Sequence, residues 1–190
     1  MRHVVAVLGY GPEVTPWIEE YILSVVQFLR VREQGFVSLA VLCGGRTFAS
    51  NPRSEADVME GLLMRCAEGV VALPPIIRDD ASITTVQNLE ALASIMRSTH
   101  KAGAEFLTIF CSRSHECKVY SLASRILYLD VEVGGISVVG IPGLSSSARQ
   151  GRINRFFQDW VARPTELVAL HWPQLRRLLE ARRRQVIKWR

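Results

Sequence analysis

The stretch FVSLAVLCGG at 36–45 is apolar at almost every position and ends in a glycine pair. A strand that is apolar throughout, without alternation, is typical of a sheet covered on both faces. HVVAVLG at 3–9 shows the same pattern, and the intervening segment 19–35 has apolar residues at helical spacing and ends at Gly35. A buried strand, a helix and a second buried strand together predict a βαβ unit and a parallel sheet.

The same alternation continues toward the carboxyl terminus. Further strands are predicted at 70–77, 105–112, 128–133 and 136–142, and further helices at 54–69, 84–103 and 114–127. Pro74 and Pro75 lack N–H donors and favour an edge position for the third strand. We therefore predict an α/β fold, a Rossmann-like three-layer sandwich with a mostly parallel sheet over 1–150. A C-terminal helical extension follows over 151–190, after a small polar connector at 143–151.

Charge is distributed unevenly along the chain. The net charge is +5, but the basic tail RRLLEARRRQVIKWR at 176–190 alone carries +6, which leaves about −1 for the rest. The main body is therefore not a basic nucleic-acid binder. The tail is interpreted as a helix that docks on the domain with a solvated basic face, or alternatively as a contact for an acidic surface.

The cysteines and the hydropathy bear on the compartment. Cys43, Cys66, Cys111 and Cys117 form no CxxC pair and no zinc-like spacing, which favours free thiols in a reducing compartment. The apolar run near the amino terminus is too short for a signal peptide, and no stretch reaches the roughly 18 apolar residues of a membrane span. These patterns predict a cytoplasmic protein without a transmembrane segment.

Glycines follow the first two predicted strands. Ligands of open parallel sheets bind beyond the carboxyl ends of the strands. Gly9 and Gly11 after the first strand, and Gly44 and Gly45 after the second, permit close backbone approach to a ligand. Val14 stands where a dinucleotide fingerprint has its third glycine, which argues against an NAD site.

Short polar side chains follow the second and third strands. Glu55 lies in the first turn of a helix capped by Ser54, where it can accept hydrogen bonds from ligand hydroxyls or act as a base. The stretch DDASITTVQN at 79–88 offers more capping groups than one helix needs. We therefore interpret Ser82, Thr85 and Asn88 as one wall of a pocket.

The fourth strand is followed by CSRSHECK at 111–118, which places several polar side chains at a helix start. Ser112 and Lys118 can hold a phosphate or a carboxylate, and His115 is available for acid–base chemistry. Ser112 and Ser114 lack a G-x-S-x-G context, so a hydrolase nucleophile is poorly supported. No set of residues has the spacing of a metal site, and none is predicted.

Four motifs stand in a specific order: the glycine turn after the first strand, GG…SEA at 44–56, D-x-S-x-T-T-x-x-N at 80–88 and S-x-S-H-x-x-K at 112–118. Over residues 4–142 this order resembles the YdcF-like family, which includes the SanA and ElyC envelope proteins. The resemblance implies a Rossmann-like fold and S-adenosylmethionine as the cofactor. This sequence differs from the family pattern at Lys118, where the family commonly has arginine, and at Tyr10, where glycine is usual.

The resemblance and the motifs together predict a protein that binds a nucleotide-like small molecule at the carboxyl edge of the sheet. Glu55 and His115 are the catalytic candidates if the protein is an enzyme. Two alternatives stay open. One is a phosphoryl- or glycosyl-processing enzyme acting on a phosphate-bearing substrate, and the other is a non-catalytic binding or scaffold protein that uses the basic tail.

Overall fold

The computed structural model describes residues 2–9, 11, 13–32, 36–99, 106–130, 133–142 and 156–188. Five strands alternate with helices in the first part: β1 His3–Leu8, α1 Pro16–Arg30, β2 Val37–Cys43, α2 Glu55–Ala67, β3 Ile76–Asp79, α3 Thr85–Thr99, β4 Phe106–Ser112, α4 Glu116–Asp130 and β5 Ile136–Ile141. The second part is helical: a π-helical turn Gln158–Ala162, then α5 Arg163–His171 and α6 Pro173–Lys188. A 3₁₀ turn, Arg113–His115, joins β4 to α4.

The five strands form one parallel sheet in the order β3-β2-β1-β4-β5. The chain starts in the middle of the sheet, moves outward to β3, and then crosses back to β4 on the other side of β1. This reversal creates a switch point between β1 and β4, beyond whose carboxyl ends a crevice is expected. The predicted Rossmann-like α/β class is confirmed.

The sheet is covered on both faces because β1 is apolar on both. Val5 and Val7 pack with the cluster under α1 and α2, whereas Val4, Ala6 and Leu8 pack with the cluster under α3 and α4. Successive side chains of a strand point to opposite faces, so one continuous apolar run supplies both cores. Two helical layers around one sheet result.

Two predicted strands differ from the structure. The strand at 128–133 is wrong over 128–130, where α4 continues to Asp130. The buried residues Val119, Leu122 and Ile126 show the helical spacing that extends into this segment. The strand at 70–77 starts only at Ile76 and runs to Asp79, because the preceding prolines donate no ladder hydrogen bonds. It lies at the edge of the sheet, as expected.

The helical extension packs against the sheet domain. Leu167 and Leu170 of α5 contact the cluster under α3 and α4. Within the described ranges, no helix is long and apolar enough to cross a membrane. The connector at 143–151, the proposed boundary between 150 and 151, Tyr10 and residues 131–132 lie outside the described residues.

Candidate functional site

A cavity of about 500 Å³ lies where the loops after β1, β2, β3 and β4 meet. Eight of the eleven site residues proposed from the sequence line it: Gly9, Gly11, Glu55, Ser82, Thr85, Asn88, His115 and Lys118. They meet because parallel strands end at the same edge of the sheet. The helical extension closes the cavity from the other side with Phe157, Gln158, Ala162, Glu166 and Arg183.

Gly44, Gly45 and Ser112 do not line this cavity. The Gly44 N–H donates to the carbonyl of Asp79 at 3.0 Å, and the Gly45 N–H donates to the carbonyl of Ser82 at 2.6 Å. Their own carbonyls accept the N–H groups of the first two residues of α2 at 3.1 and 2.9 Å. The close backbone approach that glycine permits here is therefore made to the neighbouring loop.

Glu55 is the first residue of α2 and is only 6% exposed. Its carboxylate accepts hydrogen bonds from the Thr47 hydroxyl at 2.5 Å and from the N–H of Gly11, whose φ of +109° favours glycine. Burial raises the pKa of Glu55, while both hydrogen bonds and the Arg183 guanidinium act in the opposite direction by favouring its charged form. A carboxyl with a raised pKa is suited to donating as well as accepting a proton.

The polar residues after β3, within 79–88, have different structural roles. Thr84 caps α3, since its hydroxyl accepts the N–H of Gln87 at 3.2 Å. Asp80 contacts the hydroxyl of Ser54 and thereby joins this loop to the start of α2. Ser82 and Asn88 are not needed as caps and face the cavity.

Asn88 is 8% exposed, and its side-chain Oδ1 has no hydrogen-bond partner among the described residues. Two further buried oxygens of the cavity share this property, Gln158 Oε1 and Glu166 Oε2. A buried acceptor without a donor is costly, on the order of 1–3 kcal/mol. Three such acceptors on one cavity indicate a place for a ligand that carries hydrogen-bond donors.

His115 faces the cavity at the end of the 3₁₀ turn. Its Nδ1 lies 3.1 Å from the Ser114 hydroxyl, which in turn lies 3.0 Å from the Ser112 hydroxyl. Burial lowers the pKa of His115 to about 3, and the charges of Lys118 and Arg183 act in the same direction. The imidazole is therefore neutral at physiological pH, and its unprotonated nitrogen can accept a hydrogen bond.

The His115 side chain is expected not to titrate between pH 8 and 5. The pKa of His115 is about 3 in the folded chain and about 6.5 in the unfolded chain. Between these pH values the unfolded chain binds a proton that the folded chain does not bind. The contribution of His115 to stability is therefore fully present above pH 6.5 and is lost as the pH falls toward 3. NMR titration of the imidazole carbon shifts of His115 measures this directly. A His115 midpoint near 6.5 would contradict the proposed environment.

Lys118 is 4% exposed and forms an ion pair with Glu166 of α5 at 3.1 Å. The sequence singled out Lys118 but not its partner, which lies 48 positions further along the chain. It also missed Thr47, because a lone threonine in a loop carries no local signal. Arg183 was noted only as part of the basic tail.

No group of three or more His, Cys, Asp or Glu side chains suited to a metal ion occurs within the described part of the chain. Comparison with known proteins identifies no relative: no protein-family model, no curated protein and no solved structure matches this chain.

Proposed function

We propose that this protein binds a nucleotide-like small molecule in the cavity at the carboxyl edge of the sheet, with S-adenosylmethionine as the first candidate. The observation that carries the proposal is the set of buried acceptor oxygens on Asn88, Gln158 and Glu166, which have no donor among the residues that the structure describes. The resemblance to YdcF-like proteins, read from the motifs, points to the same class of ligand.

The acceptor oxygens suit a ligand that is rich in hydrogen-bond donors. Ribose hydroxyls, an exocyclic amino group and an α-ammonium group all donate, and S-adenosylmethionine has each of them. Pockets for such molecules typically have volumes of about 300–1,000 Å³, and the cavity of about 500 Å³ falls within that range.

The cavity also has apolar lining residues, which suit contact with the ring of a base. Leu8 ends β1, Ile18 lies in the first turn of α1, and Val119 lies in α4. Trp17 and Phe48 add aromatic surface to the same cavity. Ligand sites commonly combine apolar walls with a few polar groups that fix orientation.

A second candidate function is acid–base catalysis on the bound ligand, including phosphoryl or glycosyl transfer from a phosphate-bearing substrate. Burial shifts the pKa of Glu55 upward and that of His115 downward, and both side chains line the same cavity. Two titratable groups whose environments shift their pKa values in opposite directions are typical of acid–base sites. Turnover of phosphate esters or glycosides that is lost in both Glu55→Gln and His115→Gln would favour this candidate.

Ligand binding is expected to raise the melting temperature of the protein. At a ligand concentration of about 100 times Kd, the stabilisation is about 2.7 kcal/mol, or a Tm increase of roughly 5–10 °C. Asn88→Ala is expected to reduce affinity about tenfold, because it removes a buried acceptor that has no hydrogen-bond partner in the described part of the chain. Thermal-shift measurements across S-adenosylmethionine, nucleotides and phosphate esters test this.

Two matched variants control the measurement. His115→Ala is expected to reduce the ligand-induced shift, whereas His171→Ala, which changes an exposed residue at the end of α5, leaves it intact. Native mass spectrometry of the purified protein checks for a co-purified small molecule. No shift with any probe, and no co-purified molecule, would overturn the proposal.

We also place the protein in a reducing compartment such as the cytoplasm. All four cysteines are free, and Cys43 and Cys111 are buried. Burial raises the pKa of the Cys43 thiol well above its ordinary value and that of Cys111 to about 12. Thiols of this kind are unreactive side chains of a core, which supports a structural role.

A further inference from the structure

The basic helix α6 is attached to the sheet domain by a charged contact. The Arg176 guanidinium donates to both carboxylate oxygens of Glu90 in α3, at 2.7 and 2.5 Å. Its Nε also donates to Glu180 one turn along α6 at 3.0 Å. A bidentate contact of this kind fixes the orientation of the guanidinium as well as its position.

This contact determines which side of α6 faces the site. Arg183 lies seven residues beyond Arg176, about two helical turns, so both point to the same face of the helix. Arg183 lines the 500 Å³ cavity and also an adjoining cavity of about 290 Å³ between α3, α5 and α6. Arg183 and Arg184 are both exposed residues, but Arg184 lines neither cavity.

The two cations of the cavity differ in their pairing. Lys118 already neutralises Glu166. Arg183 forms no ion pair with any acidic side chain that the structure describes. A guanidinium on the wall of a cavity, with no ion pair to a described acidic side chain, is suited to a carboxylate or a phosphate. The same charge also favours the ionised form of Glu55, which lines this cavity.

We infer that α6 completes the ligand site and that Arg183 forms an anion subsite, which takes the carboxylate or phosphate of the ligand. The inference rests on the proposed function and adds the chemical group that the ligand presents to the helical extension. Asn88 and Arg183 then recognise opposite properties of one ligand, a donor group and an anionic group.

The electrostatics of the site agree with this placement. The charge of Arg183 lowers the pKa of His115 and opposes the rise in the pKa of Glu55, so it acts on both titratable candidates. The Arg176–Glu90 pair is about one-third exposed on each side, and salt weakens exposed pairs. Ligand affinity is therefore expected to fall as ionic strength rises. Salt screens the attraction between Arg183 and the anionic group of the ligand, and it also weakens the Arg176–Glu90 pair that attaches α6.

Adenosine and adenosine 5′-monophosphate, which differ only by the phosphate, serve as probes in isothermal titration calorimetry. Arg183→Gln is expected to weaken binding of the monophosphate about tenfold or more and to leave adenosine unchanged, as loss of a charge-assisted hydrogen bond predicts. Arg184→Gln is the matched control and is expected to behave as wild type. Glu90→Gln, which is remote from the ligand, is expected to give an intermediate loss for the monophosphate.

Equal losses for both probes in Arg183→Gln, or no loss for either, would overturn the inference while leaving the proposed function in place. If neither probe binds, the NMR titration of His115 tests whether Arg183 lies at the site. Arg183→Gln and Glu90→Gln are then expected to raise the pKa of His115, and Arg184→Gln is not. An unchanged His115 pKa in Arg183→Gln would show that α6 does not place Arg183 close to the site.

Discussion

Replacement of Lys118 by Met is expected to lower the free energy of unfolding by about 3 kcal/mol, toward the lower end of the range for broken buried ion pairs. Methionine keeps most of the length of the side chain but removes the charge. The Glu166 carboxylate, one oxygen of which has no hydrogen-bond partner among the described residues, would then lose its counter-charge in a largely buried position. Urea denaturation at pH 7 measures the change.

The reason for the size of this effect lies in the surroundings of the pair. Lys118 is almost fully buried on α4, and Glu166 retains some exposure on α5, so water can partly compensate the carboxylate but not the ammonium. The Lys118–Glu166 pair, which lines the cavity, therefore holds the helical extension against the sheet domain. Loss of either charge is expected to loosen the extension.

A double-mutant cycle separates the interaction from the cost of burial. Glu166→Leu alone is expected to be destabilising, because it leaves the buried ammonium unpaired. The double variant Lys118→Met, Glu166→Leu is expected to recover most of the loss, since replacing both charges removes both penalties. A Lys118→Met variant within about 0.5 kcal/mol of wild type, the range of ordinary surface substitutions, would contradict the pairing.

The sheet and one half of the site could be predicted from local patterns. Runs such as Val4–Leu8 are apolar on both faces, and only a sheet between two helical layers accommodates them. Once the strands are parallel, the loops after them must meet at one edge. Glu55, Asn88 and His115 were therefore brought together by topology, without knowledge of any contact between them.

The other half of the site is set by contacts between distant parts of the chain. Arg176 and Glu90 are 86 positions apart, and neither has a neighbour in sequence that marks it as a partner. The side of α6 that faces the cavity depends on this pair, so Arg183 could not be distinguished from the arginines beside it. Local sequence specifies that the helix is basic, but the tertiary contact selects which arginine enters the site.

The glycines show a second limit of sequence patterns. A glycine after a strand indicates that something approaches the backbone closely, but the pattern does not say what approaches. At Gly45 the neighbour is the backbone of the loop after β3, and at Gly9 it is the side chain of Glu55. The same signal therefore marks a loop contact in one place and the support of a candidate catalytic carboxyl in the other.

Gly9→Ala is expected to destabilise the protein by about 2–3 kcal/mol and to abolish ligand binding, because overpacking displaces Glu55. A Cβ at position 9 would lie 2.7 Å from the Cβ of Glu55 and 3.2 Å from the carbonyl oxygen of Cys43. Both are parts of backbone-fixed structure, so rotation of a side chain cannot relieve the clash. Chemical denaturation and the thermal-shift assay measure the two effects separately.

Gly61→Ala provides the matched control for this substitution. Gly61 lies on the exposed face of α2, where an added Cβ meets nothing within 4 Å, and alanine there is expected to stabilise by about 0.5–1 kcal/mol. Glu55→Ala distinguishes the cause of the Gly9→Ala effect, because alanine removes the carboxylate but keeps the Cβ. The double variant Gly9→Ala, Glu55→Ala is therefore expected to stay destabilised. Full recovery of stability in this variant would contradict that expectation. It would show that the Glu55 carboxylate, rather than the close approach of α2 to β1, requires glycine at position 9.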